Sequence, residues 1–124
     1  MTKVLIIDDD ASMQTLYLRI FELEGFTTEV ATGGAEGLEK AAASPQPDVI
    51  LLDMMMPIVN GLEVLEKLKK NDATSHIPVI VMSNYSELNI TTRATQLGAR
   101  AYLVKSDIEP IDAVKNVRWV LGNK

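Results

Sequence analysis

The chain has 124 residues, 47% of them hydrophobic and 23% charged, which is enough for one buried core and one domain over residues 1–124. It contains no cysteine, so a disulfide framework and a thiolate metal site are both excluded. A net charge of −5 disfavours direct nucleic-acid binding, and the four-residue apolar run near the N-terminus is too short for a signal peptide or a membrane span, so we expect a cytoplasmic protein without membrane contact.

Five strand patterns alternate with five helix patterns along the chain, without a linker, a repeat or a low-complexity segment. Strands are predicted at residues 3–7, 27–31, 48–53, 78–83 and 101–105. Helices are predicted at residues 11–24, 34–43, 60–70, 87–97 and 110–121. Gly25 closes the first helix and Pro45 follows the second. Short continuous apolar runs are typical of strands buried on both faces. The sequence therefore predicts an α/β fold with a parallel sheet between two layers of helices.

Apolar residues spaced three to four apart predict the buried side of each helix. In the first helix this stripe contains Met13, Leu16, Ile20 and Leu23. In the last helix it contains Ile111, Val114, Val117 and Leu121. The fourth helix has three threonines and an asparagine, which lower helix propensity, and we expect it to be the least stable element. Its weak apolar stripe consists of Ile90, Ala94 and Leu97.

Acidic residues follow two of the predicted strands. Asp8, Asp9 and Asp10 come directly after the first strand, and Asp53 ends the third. Both strand ends should lie at the same edge of a parallel sheet, which is the edge where open α/β sheets bind ligands. Carboxylates gathered there repel one another, so the arrangement favours a divalent cation among them, and an all-oxygen site suits Mg²⁺ or Mn²⁺.

From end to end, the chain resembles the receiver domain of bacterial two-component response regulators, such as the chemotaxis regulators. The resemblance depends on five strand-end positions in the order of the family: Asp8, Asp9, Asp53, Ser83 and Lys105. The turns at residues 53–57, 60–61 and 98–102 are also similar to those of the family.

The resemblance implies a flavodoxin-like (βα)5 doubly wound sheet with the strand order 2-1-3-4-5. It also implies a phosphoacceptor signalling switch, in which Mg²⁺-dependent transfer moves a phosphoryl group from a histidine kinase or phosphotransfer protein to Asp53. Such a domain is a regulatory phosphoacceptor, limited to its own phosphorylation and slow dephosphorylation, and not an enzyme. Whether the chain is a stand-alone regulator or part of a longer one is left open.

Phosphoryl transfer to a carboxylate requires that the charge of the phosphoryl group be neutralised. The expected metal ligands are Asp9 and Asp53 directly, Asp8 through a water, and the backbone carbonyl of Met55. Phosphoryl oxygens would be bound by the hydroxyl of Ser83 and the ammonium of Lys105.

Other notable residues have simpler interpretations. Asp10 directly precedes the first helix and is interpreted as its N-cap. His76, the only histidine, is interpreted as an exposed loop residue. The methionines at 54–56 are expected to fill loop and core space. Ser106 follows Lys105 where most receiver domains carry a proline, so the sequence leaves open whether the Lys105–Ser106 peptide is cis or trans.

Two other classes of protein share this layout. A haloacid-dehalogenase-type phosphohydrolase also uses a strand-end aspartate and Mg²⁺, but it needs a second aspartate two residues later, where this chain has Met55. A flavodoxin-like cofactor-binding module cradles a phosphate after the first strand, where Asp8, Asp9 and Asp10 would repel it.

The output surface is predicted on the fourth helix, the fifth strand and the fifth helix. Trp119 lies on the polar side of the last helix together with Lys115, and we expect it to contact a downstream protein or a second copy of the chain. As the resemblance implies, Tyr102 would turn inward when Ser83 moves toward the phosphoryl group.

Overall fold

The computed structural model describes residues 2–54, 56, 60–84 and 88–122, with Leu88 described by its backbone alone. Five parallel strands form one sheet in the order β2-β1-β3-β4-β5. The strands are β1 (Lys3–Ile7), β2 (Thr27–Ala31), β3 (Val49–Asp53), β4 (Val79–Ser83) and β5 (Ala101–Val104). The helices are α1 (Ala11–Leu23), α2 (Gly34–Ala42), α3 (Gly61–Lys70), α4 (Leu88–Gln96) and α5 (Pro110–Gly122). The predicted fold class, strand order and elements are confirmed, and every predicted boundary lies within one residue of the observed one.

Alternate residues of the central strands enter two separate cores, one on each face of the sheet. On one face, Leu5 and Ile7 of β1 belong to a core that includes buried residues of α2, α3 and α4. On the other face, Val4 and Ile6 belong to a core that includes buried residues of α1 and α5. Every residue of β3 and β4 is buried, so each position except the strand ends takes an apolar side chain. This is why the short apolar runs predicted a sheet covered on both sides.

The buried side of α1 differs from the prediction. Tyr17 and Phe21 are buried, whereas Leu16 is 38% and Leu23 is 77% exposed. The prediction was wrong for Leu16 and Leu23, because the stripe left out the two aromatic side chains, which are large and apolar and lie four residues apart on the buried side. Two members of the predicted stripe pack at the margin of this core, Met13 and Ile20.

The last two helices agree with the sequence pattern more closely. In α5, Val114 and Val117 are buried as predicted, but Ile111 is 38% exposed, and two residues outside the predicted stripe are buried. Those residues are Ala113 and Val120. Leu121 packs at the margin of the core, and Trp119 is exposed as predicted. The predicted stripe of α4 is confirmed, since Ala94 is buried and its partners pack beside it, namely Ile90 and Leu97.

The loops contain two further predicted features. His76 is exposed, as its interpretation required, and Met54 and Met56 are buried in the core beside α3. No helix in the described part of the chain is both long and apolar enough to cross a bilayer.

Candidate functional site

The ends of four strands bring the predicted site residues to one edge of the sheet. Asp8 follows β1 and Asp53 ends β3, and these strands are paired up to Ile7 and Leu52. Ser83 ends β4 beside Val104, the last residue of β5, and Lys105 follows directly. Because all these strands are parallel, their carboxyl ends meet at the same edge.

Three carboxylates form the centre of the site. One ligand oxygen each from Asp8, Asp9 and Asp53 lies within 4.8 Å of the other two. Asp8 is 3% and Asp53 6% exposed, whereas Asp9 is open to solvent. Opposite ligands of an octahedral Mg²⁺ lie about 4.2 Å apart, because each Mg–O distance is about 2.1 Å. The oxygen donors and their spacing therefore fit a magnesium ion.

Lys105 compensates part of this negative charge. Its Nζ lies 3.1 Å from Asp8 Oδ2 and 3.6 Å from Asp53 Oδ1, and its side chain is only 10% exposed. Three carboxylates, two of them buried, and one ammonium leave two negative charges uncompensated, which matches the charge of a divalent cation.

The chain after β5 forms a turn that begins with Lys105, although no proline follows this lysine. Lys105–Asp107 forms one 3₁₀ turn between β5 and α5. Within the described residues the only cis peptide is Ser44–Pro45, so the Lys105–Ser106 peptide is trans. The question that the sequence left open is therefore answered, and Ser106 is compatible with an ammonium held between two carboxylates.

Hydrogen bonds fix the turn between β1 and α1. Asp8 Oδ1 accepts from the backbone N–H of Asp10 at 2.9 Å, so both oxygens of this carboxylate have a partner. Asp10 Oδ1 accepts from the backbone N–H groups of Ser12 and Met13, which confirms Asp10 as the N-cap of α1. The hydrogen bond from the Ser12 hydroxyl makes the largest contribution, and those from these N–H groups the next largest, to holding the pKa of Asp10 below its usual value. Asp10 is thus directed to the helix and not to the carboxylate cluster.

The start of α3 lies close to the end of β3. The N–H of Gly61 donates to the carbonyl of Met54 at 3.0 Å, and Asn60 caps α3 by accepting from the N–H of Glu63. A Cβ on Gly61 would lie 2.7 Å from the carbonyl oxygen of Asp53, so only glycine allows this approach. Met55, predicted to supply a carbonyl ligand, lies outside the described residues.

The predicted switch residues lie on the face of the sheet that α3 and α4 cover. Val79 and Val81 of β4 belong to that core, and Ser83 follows them in the same alternation and is fully buried. Tyr102 of β5 is paired with Val81 and packs against the same core. The sequence predicted neither this shared face nor the depth of Ser83.

Two residues near the acidic turn were missed by the sequence analysis. The side-chain amide of Gln14 donates to the carbonyl of Asp8 at 2.5 Å. The pKa of the Tyr17 hydroxyl is raised to about 12, mainly because the side chain is buried and in smaller part because the negative charge of Asp8 is near. Both lie in α1, on the side facing the acidic turn and the sheet, and no short motif marks them.

Residues 4–116 match the family model of the response regulator receiver domain. The chain belongs to this family. The matched segment contains β1 from Val4 onward, the other four strands and every strand-end residue described above. Membership makes the chain a phosphoacceptor switch domain of two-component systems, regulatory rather than enzymatic. It also decides against the phosphohydrolase and the flavodoxin-like module that the sequence left as alternatives.

Individual relatives agree with this assignment. Sporulation initiation phosphotransferase F of Bacillus subtilis is 37% identical over 115 residues, which cover 91% of this chain and 90% of that protein. The nitrate/nitrite response regulator protein NarL of Escherichia coli is 40% identical over 114 residues, but the match covers 51% of NarL. The chain thus corresponds to nearly the whole of one relative and to about half of the other.

Solved structures agree as well. The chemotaxis protein CheY4 of Vibrio cholerae superposes with a TM-score of 0.89 at 27% identity, covering 97% of this chain and 98% of that one. A CheY-like receiver domain protein of Methanospirillum hungatei gives the same TM-score at 28% identity.

Proposed function

We propose that Asp53 is the phosphoacceptor of this receiver domain and that it acts with a magnesium ion held by the acidic cluster. The observation that carries the proposal is the convergence of three carboxylates within 4.8 Å, with the ammonium of Lys105 between two of them. Asp53 is the member that ends the central strand of the sheet, where it is paired with Met82 of β4.

Asp9 and Asp53 are the direct metal ligands in this proposal. Both oxygens of Asp8 already accept hydrogen bonds, so Asp8 would reach the metal through a water. The backbone carbonyl of Met55 stays a prediction for a further ligand. Mg²⁺, or Mn²⁺ in its place, would neutralise charge on the phosphoryl oxygens.

The chain's own residues then account for the transfer. A carboxylate oxygen of Asp53 attacks the phosphorus of a phosphohistidine, the O–P bond forms, and the P–N bond breaks as the imidazole leaves. The ammonium of Lys105, now beside Asp53, would bind one phosphoryl oxygen of the product, and the hydroxyl of Ser83 would donate to another. The product is an acyl phosphate on Asp53.

The phosphodonor in this proposal is a histidine kinase or a phosphotransfer protein. Receiver domains as a family interact with such donors, and one relative is named as a phosphotransferase. The extent of the domain over residues 1–124 and a cytoplasmic location stay predictions from the sequence.

Acetyl phosphate tests the proposal without a kinase. Incubated with Mg²⁺, the wild-type protein should gain one phosphoryl group by intact mass, and hydroxylamine should remove it because acyl phosphates are labile to this reagent. Asp53→Asn should gain none, and a chelator should prevent labelling of the wild type. Unchanged labelling of Asp53→Asn, or labelling that ignores the chelator, would contradict the assignment. Asn60→Asp, which keeps an N-cap for α3, is the matched control and should be labelled like the wild type.

The output surface is a second part of the proposal and comprises α4, β5 and α5. Tyr102 is half-buried against the core below α4, beside the strand that ends in Ser83. Trp119 is 58% exposed and Lys115 is exposed on the same side of α5. Movement of Ser83 toward a phosphoryl group would open space that Tyr102 could fill, biasing a pre-existing equilibrium of this surface.

Two variants separate the switch from the contact surface. Ser83→Ala should accept a phosphoryl group but lose most of the phosphorylation-dependent change in self-association or partner binding. Trp119→Ala should bind less well at nearly unchanged thermal stability, because more than half of this side chain is exposed. A Trp119→Ala protein that unfolds would show that Trp119 belongs to the fold and that the surface lies elsewhere.

A further inference from the structure

Asp9 has the least supported carboxylate of the acidic cluster. It is exposed, and within the described residues its side chain has no hydrogen bond or ion pair. Asp8, in contrast, is held through both of its oxygens. Within the protein, the direction of the Asp9 side chain therefore depends on the backbone on either side of it.

Both peptide groups that flank Asp9 are held by hydrogen bonds. The carbonyl of Asp8 accepts from Nε2 of Gln14, and the N–H of Asp10 donates to Oδ1 of Asp8. Because a peptide group is planar, fixing the Asp8 carbonyl also fixes the N–H of Asp9, and fixing the Asp10 N–H also fixes the carbonyl of Asp9. The two bonds together restrict both backbone dihedral angles of Asp9, and with them the direction of its Cβ.

The helix itself does not need this hydrogen bond of Gln14. The N-terminus of α1 is already capped by Asp10, and the backbone N–H of Gln14 makes the ordinary helical bond to the Asp10 carbonyl. The side-chain amide instead leaves the helix and joins α1 to the strand end before Asp9. Ordering the long side chain of Gln14 costs conformational entropy. The effect of this hydrogen bond is therefore sought at the strand end that it holds, and not in the helix.

We propose that Gln14 is a positioning residue of the metal site, which orients the peptide before Asp9 and thereby directs the Asp9 carboxylate toward the metal. This inference rests on the proposed function, because it requires that Asp9 is a metal ligand. Groups that orient metal ligands typically contribute about tenfold to a hundredfold in metal affinity. We expect the contribution of Gln14 to metal affinity to lie at the lower end of that range. Gln14 acts on Asp9 only through the backbone, and a second hydrogen bond also holds the backbone of Asp9.

The test compares Gln14→Met with the wild type. Methionine keeps the length and the helix propensity of the side chain but cannot donate a hydrogen bond. We expect the dissociation constant for Mg²⁺, measured by calorimetric titration with the metal alone, to rise about tenfold. The urea midpoint in a chelator should stay close to that of the wild type, because water at this open edge can replace the lost donor. Gln96→Met, the same change at an exposed position of α4, should leave both quantities unaltered.

A double-mutant cycle shows whether the effect passes through Asp9. In an Asp9→Ala background, Gln14→Met should produce no further loss of Mg²⁺ affinity. An equal loss in both backgrounds would overturn the inference, as would an unchanged affinity in the single variant. If the wild type itself fails to bind Mg²⁺, the proposed function fails instead. Should Gln14→Met not fold, Gln14→Ala gives the same comparison, because alanine is the strongest helix former.

Discussion

Replacing Gly61 by alanine tests how closely α3 must approach the phosphoacceptor strand. A Cβ at this position would lie 2.6 Å from Met54 Cα and 2.7 Å from the carbonyl oxygen of Asp53. Both are backbone atoms, which cannot rotate away as a side chain can, so either α3 or the end of β3 has to move. Overpacking of this kind costs about 1–3 kcal/mol, and the gain in helix propensity offsets up to about 1 kcal/mol. Because both nearest contacts are with backbone atoms, we place the cost at the upper end of this range and expect a net loss of about 2 kcal/mol.

This loss corresponds to a measurable shift of the melting temperature. An unfolding entropy of about 2.1 cal/mol/K per residue gives roughly 0.26 kcal/mol/K for this chain, so Tm should fall by roughly 8 °C. Differential scanning calorimetry of Gly61→Ala measures it. Phosphorylation by acetyl phosphate should also slow, because the backbone of Asp53 is displaced.

The matched control is Gly122→Ala, at the end of α5. A Cβ there would have no neighbour within 4 Å, so Tm should be unchanged or slightly raised. If Gly61→Ala melts at the temperature of the wild type and is phosphorylated at the same rate, the proposed close approach of α3 to Asp53 is wrong.

Three further predictions concern the acidic edge and the first helix. Asp9→Ala should abolish most of the Mg²⁺-dependent rise in Tm while melting at or above the wild-type temperature without metal, since it removes one of three mutually repelling charges; a full Mg²⁺ shift would exclude Asp9 as a ligand. Asp10→Ala should destabilise the protein at neutral pH through loss of the N-cap. Because the pKa of Asp10 is lowered in the folded state, its contribution is present above the usual value of 3.8 and is lost as pH falls through the lowered pKa, so urea titrations of the two proteins should converge in acid. Tyr17, whose pKa is raised from 10.0 to about 12, stabilises the fold fully below pH 10.0 and loses this contribution as pH rises toward 12; Tyr17→Phe should therefore lose less stability than the wild type over that interval in alkaline unfolding curves.

The sequence predicted the sheet well because β1, β3 and β4 each contain a continuous apolar run that is followed directly by a polar residue. The run before Asp53 shows the reason. All five residues of β3 are buried, as are all five of β4, and burial on both faces of the sheet favours a continuous apolar run over the spaced apolar positions of a helix. The acidic residues that follow these runs are then brought together because the strands are parallel and adjacent in the sheet.

The sequence predicted less well the contacts between residues of different helices, strands and loops. Tyr17 is buried and Leu16 is 38% exposed, and which of two neighbouring side chains faces the sheet depends on how α1 packs, which the spacing of apolar residues alone does not specify. The bond from Gln14 to Asp8 joins residues six positions apart through a helix start, and no motif of residue types marks it. Lys105 lies between two carboxylates and is followed by a trans peptide before Ser106, a backbone choice that the sequence left open.

The central claim, that Asp53 receives the phosphoryl group, can be tested by mapping the modified residue. Borohydride reduces an aspartyl phosphate to homoserine, so the protein is phosphorylated with acetyl phosphate and Mg²⁺, reduced, digested and sequenced by mass spectrometry. Our account predicts homoserine at position 53 in the sample with Mg²⁺ and none in the sample with a chelator. Homoserine at position 8 or 9, or at position 53 regardless of the metal, would contradict it.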